Sequence, residues 1–189
     1  MIRAIIFDCF GVLYGGSAEY LASIAPEGRA IEVLDSNNAK DYGYISYREH
    51  LDQVSEIIGI TPDEVDAIIR QKHAPNNELI AYTSELRTQY KVGLLSNIGD
   101  HMMDHLFDGR MNDMFDTVVL SFAVGMIKPD PNIFTLTAER LGVLPEECVM
   151  IDDREENCDG ARRAGMRAIL HTSNDNTRQH LSELLKASQ

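Results

Sequence analysis

Apolar positions along this chain switch between two periods. A short apolar run over residues 3–8 ends in Asp8 and passes into Phe10-Gly11-Val12-Leu13, the pattern of a buried strand followed by a loop. From about residue 16 to residue 89 the texture turns helical. Ser46 and Glu49 stand at capping-box spacing, and Leu51, Val54, Ile57 and Ile58 follow at helical intervals until Gly59. Thr61-Pro62-Asp63-Glu64 repeats the signal, with proline at the first helical position ahead of Val65, Ile68 and Ile69. A further helix is expected over 77–88, with Leu79, Tyr82 and Leu86 facing inward.

Strand texture returns at Lys91–Ser96, and a helix is expected over 100–107. A third strand over 117–121, a helix from Asp130-Pro131 to Leu141, a fourth strand over Cys148–Asp152, a helix over 155–164 and a fifth strand over 167–171 complete the alternation. Leu181, Leu184 and Leu185 mark a terminal amphipathic helix. Strands alternating with helices predict a parallel sheet covered on both faces. The helical stretch between the first two strands is far longer than a crossover needs. The expected organisation is an α/β core from residues 1–15 and 90–189, doubly wound, with a helical cap inserted at 16–89.

Composition narrows the function. Among 189 residues, 17 Lys+Arg face 30 Asp+Glu, a formal charge of −13. Such an acidic balance repels phosphate backbones and argues against nucleic-acid binding. No apolar run reaches the ~18 residues of a membrane span, and the N-terminus meets Asp8 too early for a signal peptide. The three cysteines, Cys9, Cys148 and Cys158, form no CxxC pair and are odd in number, which fits free thiols in a reducing cytoplasm.

In open α/β sheets the reactive groups gather beyond the carboxyl ends of the strands. Those ends carry Asp8, Ser96-Asn97 and Asp152-Asp153, with Lys128 in the segment after the third strand. Clustered carboxylates repel unless a cation joins them, and an all-oxygen set selects a hard ion such as Mg²⁺. The set suits phosphoryl transfer. Asp8 would attack phosphorus and form an aspartyl-phosphate, while Ser96, Asn97 and Lys128 bind the phosphate oxygens of a small phosphorylated substrate.

Four stretches, Ile5-Ile6-Phe7-Asp8-Cys9-Phe10-Gly11-Val12-Leu13, Gly93-Leu94-Leu95-Ser96-Asn97, Gly125-Met126-Ile127-Lys128-Pro129-Asp130 and Met150-Ile151-Asp152-Asp153, resemble in order the motifs of the haloacid dehalogenase (HAD) superfamily. The resemblance implies a Rossmann-like core, a helical cap and Mg²⁺. It makes Asp8 nucleophile and metal ligand, lends the Phe10 backbone carbonyl to the metal, binds the ion through Asp153 and sets Asp152 close by. It also marks a departure. Phosphatases of that superfamily carry a second Asp two residues after the nucleophile, where this chain has Phe10. That Asp protonates the leaving oxygen and activates water, work typically worth ~10²–10⁴ in rate. The expected activity is therefore a Mg²⁺-dependent phosphatase with weakened acid–base catalysis.

Other readings stand beside it. A catalytically degenerate phosphate-binding or regulatory module would keep the pocket without turnover. A 2-haloacid dehalogenase would fit an aromatic residue at position 10, since halide leaves unprotonated. His50 and His73 are local candidates for a replacement acid, and Asn157 for orienting Asp153. His101 and His105 stand at helical spacing but lack the Glu of a zinc-protease motif.

Overall fold

The computed structural model describes residues 1–98, 106–107 and 110–187. The His101/His105 pair, and all but the last two positions of the helix expected over 100–107, lie outside the described residues.

Five strands form one parallel sheet in the order β3-β2-β1-β4-β5: β1 (Ala4–Phe7), β2 (Lys91–Ser96), β3 (Thr117–Leu120), β4 (Cys148–Asp152) and β5 (Arg167–Leu170). The helices are α1 (Ala18–Ser23), α2 (Ala30–Asp41), α3 (Tyr47–Ile58), α4 (Pro62–Lys72), α5 (Asn77–Leu86), α6 (Met111–Met114), α7 (Ser121–Val124), α8 (Pro131–Leu141), α9 (Glu155–Arg163) and α10 (Asn174–Lys186). None in the described residues is long and apolar enough to cross a membrane.

The central strand explains the layering. All four residues of β1 are fully buried, and their side chains alternate between two cores. Ile5 and Phe7 join Leu94, Val149 and Ile151 beneath α5 and α10, through Leu79, Leu86 and Leu181. Ala4 and Ile6 join Leu95, Val119 and Met150 beneath α8 and α9, through Phe134, Leu141 and Ala161. This is a doubly wound, Rossmann-like α/β fold. Truncating so central a side chain as Phe7 to alanine costs about 3–5 kcal/mol.

Helices α1–α4 enclose a third core of their own, with Leu21, Val33, Leu51, Val54, Val65 and Ile69. Their ends follow the sequence signals. Both α3 and α4 begin with complete capping boxes, Ser46 with Glu49 and Thr61 with Glu64, and α3 stops at left-handed Gly59. α5 lies between α4 and β2 in sequence, and its Leu79 and Leu86 pack in the sheet-side core.

The strands that enter and leave α1–α4 run side by side. Gly15 N–H donates to Ala74 O (2.9 Å) and Asn76 N–H to Leu13 O (2.8 Å), around an isolated antiparallel bridge between Tyr14 and Pro75.

Candidate active site

From β1 the chain runs outward through β2 and β3, then returns to β4 on the other flank. The carboxyl ends of β1 and β4 therefore border the switch point where open α/β sheets bind ligands. Asp8 follows β1, with its backbone N–H donating to Ile151 O at 2.9 Å. Asp152 ends β4, and Asp153 follows it. One carboxylate oxygen from each of the three lies within 4.8 Å of the others.

Lys128 binds two of them. Its Nζ stands 2.7 Å from Asp8 Oδ1 and 2.7 Å from Asp152 Oδ2. Two devices hold it there. The Asn97 side chain clamps the Lys128 backbone, accepting from its N–H (2.9 Å) and donating to its carbonyl (3.0 Å). Behind it, α9 packs so tightly that a Cβ on Gly160 would lie 2.5 Å from Pro129 O.

The two aspartates after β4 differ in what they touch. Asp152 is fully buried, and both its oxygens are engaged. Oδ2 takes Lys128, while Oδ1 accepts from Asn157 Nδ2 (2.9 Å) and Arg154 N–H (3.0 Å). Asp153 Oδ1 is buried without a hydrogen-bond partner. It lies against Gly11, where a Cβ would meet Asp153 Oδ2 at 2.1 Å. Asn157 thus orients Asp152, not Asp153.

Fully ionised, three carboxylates against one ammonium would leave two negative charges uncompensated. Burial, reinforced by Asp152 and Asp153 and opposed by Lys128, pushes the Asp8 carboxyl up to about 8. Burial and the neighbouring Asp152 raise Asp153 to about 6. Burial lowers the Lys128 pKa, but Asp152 and Asp8 outweigh it and hold the ammonium charged. A hard divalent cation fits this place. The donors are all oxygens, Asp153 Oδ1 is unpartnered, and the charge deficit matches one such ion.

The remaining predicted residues are distributed unevenly. Ser96 is buried at the end of β2, its hydroxyl oxygen without a partner. Asn97 reaches the cleft but spends its amide on Lys128. Phe10 lines the cleft, and its ring packs on the His73 imidazole with centroids 4.5 Å apart. His73 Nε2 meets Ser17 Oγ at 3.2 Å, and burial lowers its pKa to about 4. His50 belongs instead to the interior of α1–α4, bonded through Nδ1 to Ser36 Oγ at 3.0 Å.

Asn37, Lys40 and Asp41 of α2 form the opposite wall, and sequence reasoning missed them. α2 buries only Val33 and Ser36, too faint an apolar stripe to reveal which face turns inward. The cleft encloses about 80 Å³, small beside the 300–1,000 Å³ typical of ligand pockets.

The chain is similar to known proteins in sequence and in fold. The chain is 30% identical to a glyceraldehyde 3-phosphate phosphatase of Methanopyrus kandleri, over 88% of this chain and 82% of that one. It is 26% identical to an (S)-2-haloacid dehalogenase of Xanthobacter autotrophicus, over 87% and 73%. In structure it superposes on a HAD family enzyme of Bacteroides thetaiotaomicron in complex with magnesium and inorganic phosphate. The TM-score is 0.69 at 25% identity, covering 92% of this chain and 96% of that one. Residues 2–165 match the pattern of haloacid dehalogenase-like hydrolases. The chain belongs to the haloacid dehalogenase-like hydrolase family, a family of enzymes.

Proposed function

We propose that this enzyme is a Mg²⁺-dependent phosphatase that cleaves a small phosphorylated metabolite through an aspartyl-phosphate at Asp8. One observation carries the proposal. Asp8, Asp152 and Asp153 converge on one point, with a charge deficit that suits a divalent cation and Asp153 Oδ1 left unpartnered. Both the phosphatase relative and the neighbour holding magnesium and phosphate support it.

Asp8, the Phe10 carbonyl and Asp153 would hold the ion, with Asp152 close by. When bound, it would neutralise the phosphate and Asp8 as they approach each other. Asp8 attacks phosphorus while the bond to the leaving oxygen breaks. Lys128, already 2.7 Å from Asp8, opposes the protonation that burial favours and steers the carboxylate. Ser96 offers its free hydroxyl to the transferred oxygens once the phosphate settles. Water then attacks phosphorus, releasing inorganic phosphate and restoring Asp8. Phe10 can neither give a proton to the leaving oxygen nor take one from the attacking water, so esters with good leaving groups should turn over fastest.

Helices α1–α4 serve as the cap, closing the cleft and excluding water. The cleft wall they supply and the Arg154 Nη1 to Asn38 Oδ1 bond (3.2 Å) support this role. Three buried free thiols support a cytoplasmic setting.

The test is phosphate release from alkyl, aryl and acyl phosphates with and without Mg²⁺, using Asp8→Asn as control. Mg²⁺-dependent release that the control lacks is expected. No release from any class would sink the proposal in favour of a degenerate phosphate-binding module. Phe10 and the dehalogenase relative favour one second reading, displacement of halide at carbon. Halide release from a 2-haloacid in chelator would establish it.

A further inference from the structure

The wall opposite Asp8 is a polar cluster that the phosphoryl chemistry does not use. Asn37, Lys40 and Asp41 share one face of α2, at i, i+3 and i+4, and line the same cleft as Asp8 and Asp153. They are bonded to one another. Lys40 Nζ donates to Asn37 Oδ1 (3.0 Å) and lies 3.2 Å from Asp41 Oδ1, while Asn37 Nδ2 donates to Asp41 Oδ2 (3.0 Å). The side chains of Lys40 and Asp41 are only 17% and 19% exposed.

The chemistry of this wall is selective. As a unit it is neutral. Of the charged groups lining the cleft outside the Asp8 cluster, Arg154 is paired with Glu156 and Glu19 is exposed to solvent. The wall itself therefore has no charge to spare for a second anion or cation. A distal carboxylate on a substrate would compete with Asp41 for Lys40, and a distal ammonium would compete with Lys40 for Asp41. Either would strand a charge in a confined cleft. A hydroxyl both donates and accepts. It can give to Asp41 and take from Asn37 or Lys40 without breaking the ion pair. An alkyl chain would take water from those groups and return no hydrogen bond.

We propose that Asn37, Lys40 and Asp41 bind the hydroxyl groups of a short polyhydroxy phosphate ester, and so set the substrate class of this enzyme. The inference rests on the phosphatase reading, which places the phosphate at Asp8. The small volume of the cleft limits the chain to a short one beside that phosphate.

Non-hydrolysable phosphonates test it by calorimetry on the wild-type protein in Mg²⁺. The probes are 2,3-dihydroxypropylphosphonate, propylphosphonate, 2-carboxyethylphosphonate and 3-aminopropylphosphonate. The dihydroxy compound is expected to bind at least about tenfold more tightly than each of the others. Asp41→Ala and Asn37→Ala should each cut that advantage over propylphosphonate to about twofold, with thermal melts confirming that the variants fold. Equal binding of the dihydroxy and propyl compounds, or preference for a charged one, overturns the inference on the wild-type protein alone. In that case, propylphosphonate binding that requires Mg²⁺ shows that the site at Asp8 stands while the inference falls. If no phosphonate binds, both fall.

Discussion

Gly11 and Asp153 are in contact so close that a single methyl group at Gly11 would overlap the carboxylate, at 2.1 Å from Oδ2. Gly11 also adopts φ +91°, a conformation that L side chains rarely take. Gly11→Ala is expected to displace Asp153 while leaving the sheet intact. The check is a Mg²⁺ titration by calorimetry, with affinity falling at least about tenfold. Unaltered affinity in a folded variant would remove Asp153 from the metal set.

The raised carboxyls couple stability to pH. Unfolded, Asp8 loses its proton near 4; folded, it keeps the proton to about 8. The metal-free fold therefore binds more protons than the unfolded chain, and stability falls as pH rises toward 8. Below about pH 6.5, His50 and His73 pull the other way, since burial holds them neutral to about 3 and about 4. The clean window lies between about pH 6.5 and 8, where unfolding in chelator should show a loss of about 1–2 kcal/mol. Mg²⁺ should remove that loss, so its thermal shift grows across the window. A shift that shrank toward pH 8 would contradict the metal site.

Lys128→Met would leave Asp8 and Asp152 facing each other, buried, without their shared ammonium. Breaking a buried pair from one side costs about 3–5 kcal/mol. Urea unfolding at neutral pH should show that loss. Acidification should recover part of it as the carboxyls take up protons.

Phe10→Asp restores a carboxyl two residues after Asp8. With alkyl phosphates, turnover should rise by roughly 10²–10⁴, read as phosphate release. Stability should fall by about 1 kcal/mol as the ring contact with His73 is lost. Unchanged turnover would mean that another group already supplies the proton.

The sheet was legible because its strands are buried on both faces and written as near-continuous apolar runs bounded by loop residues. Asp8, Lys128, Asp152 and Asp153 were legible as a set, because a parallel topology delivers every strand end to one edge. Sequence assigns Lys128 to catalysis and to substrate, and its ammonium contacts with Asp8 and Asp152 are visible only in the fold. The third strand was expected to reach 121, but β3 ends at Leu120 and one turn of α7 follows until left-handed Gly125. α5 reads as part of the cap by its place in the chain, and only the packing of Leu79 and Leu86 assigns it to the sheet.

The paired strands at Gly15–Ala74 and Leu13–Asn76 have a consequence for inheritance. Because α1–α4 join the rest of the molecule at one doubled seam, and keep an apolar interior of their own, they form a replaceable cassette. Another bundle with its two ends side by side could be spliced there without disturbing a strand of the sheet. Asp8, Lys128 and the aspartate pair all lie outside the segment that such a splice would replace.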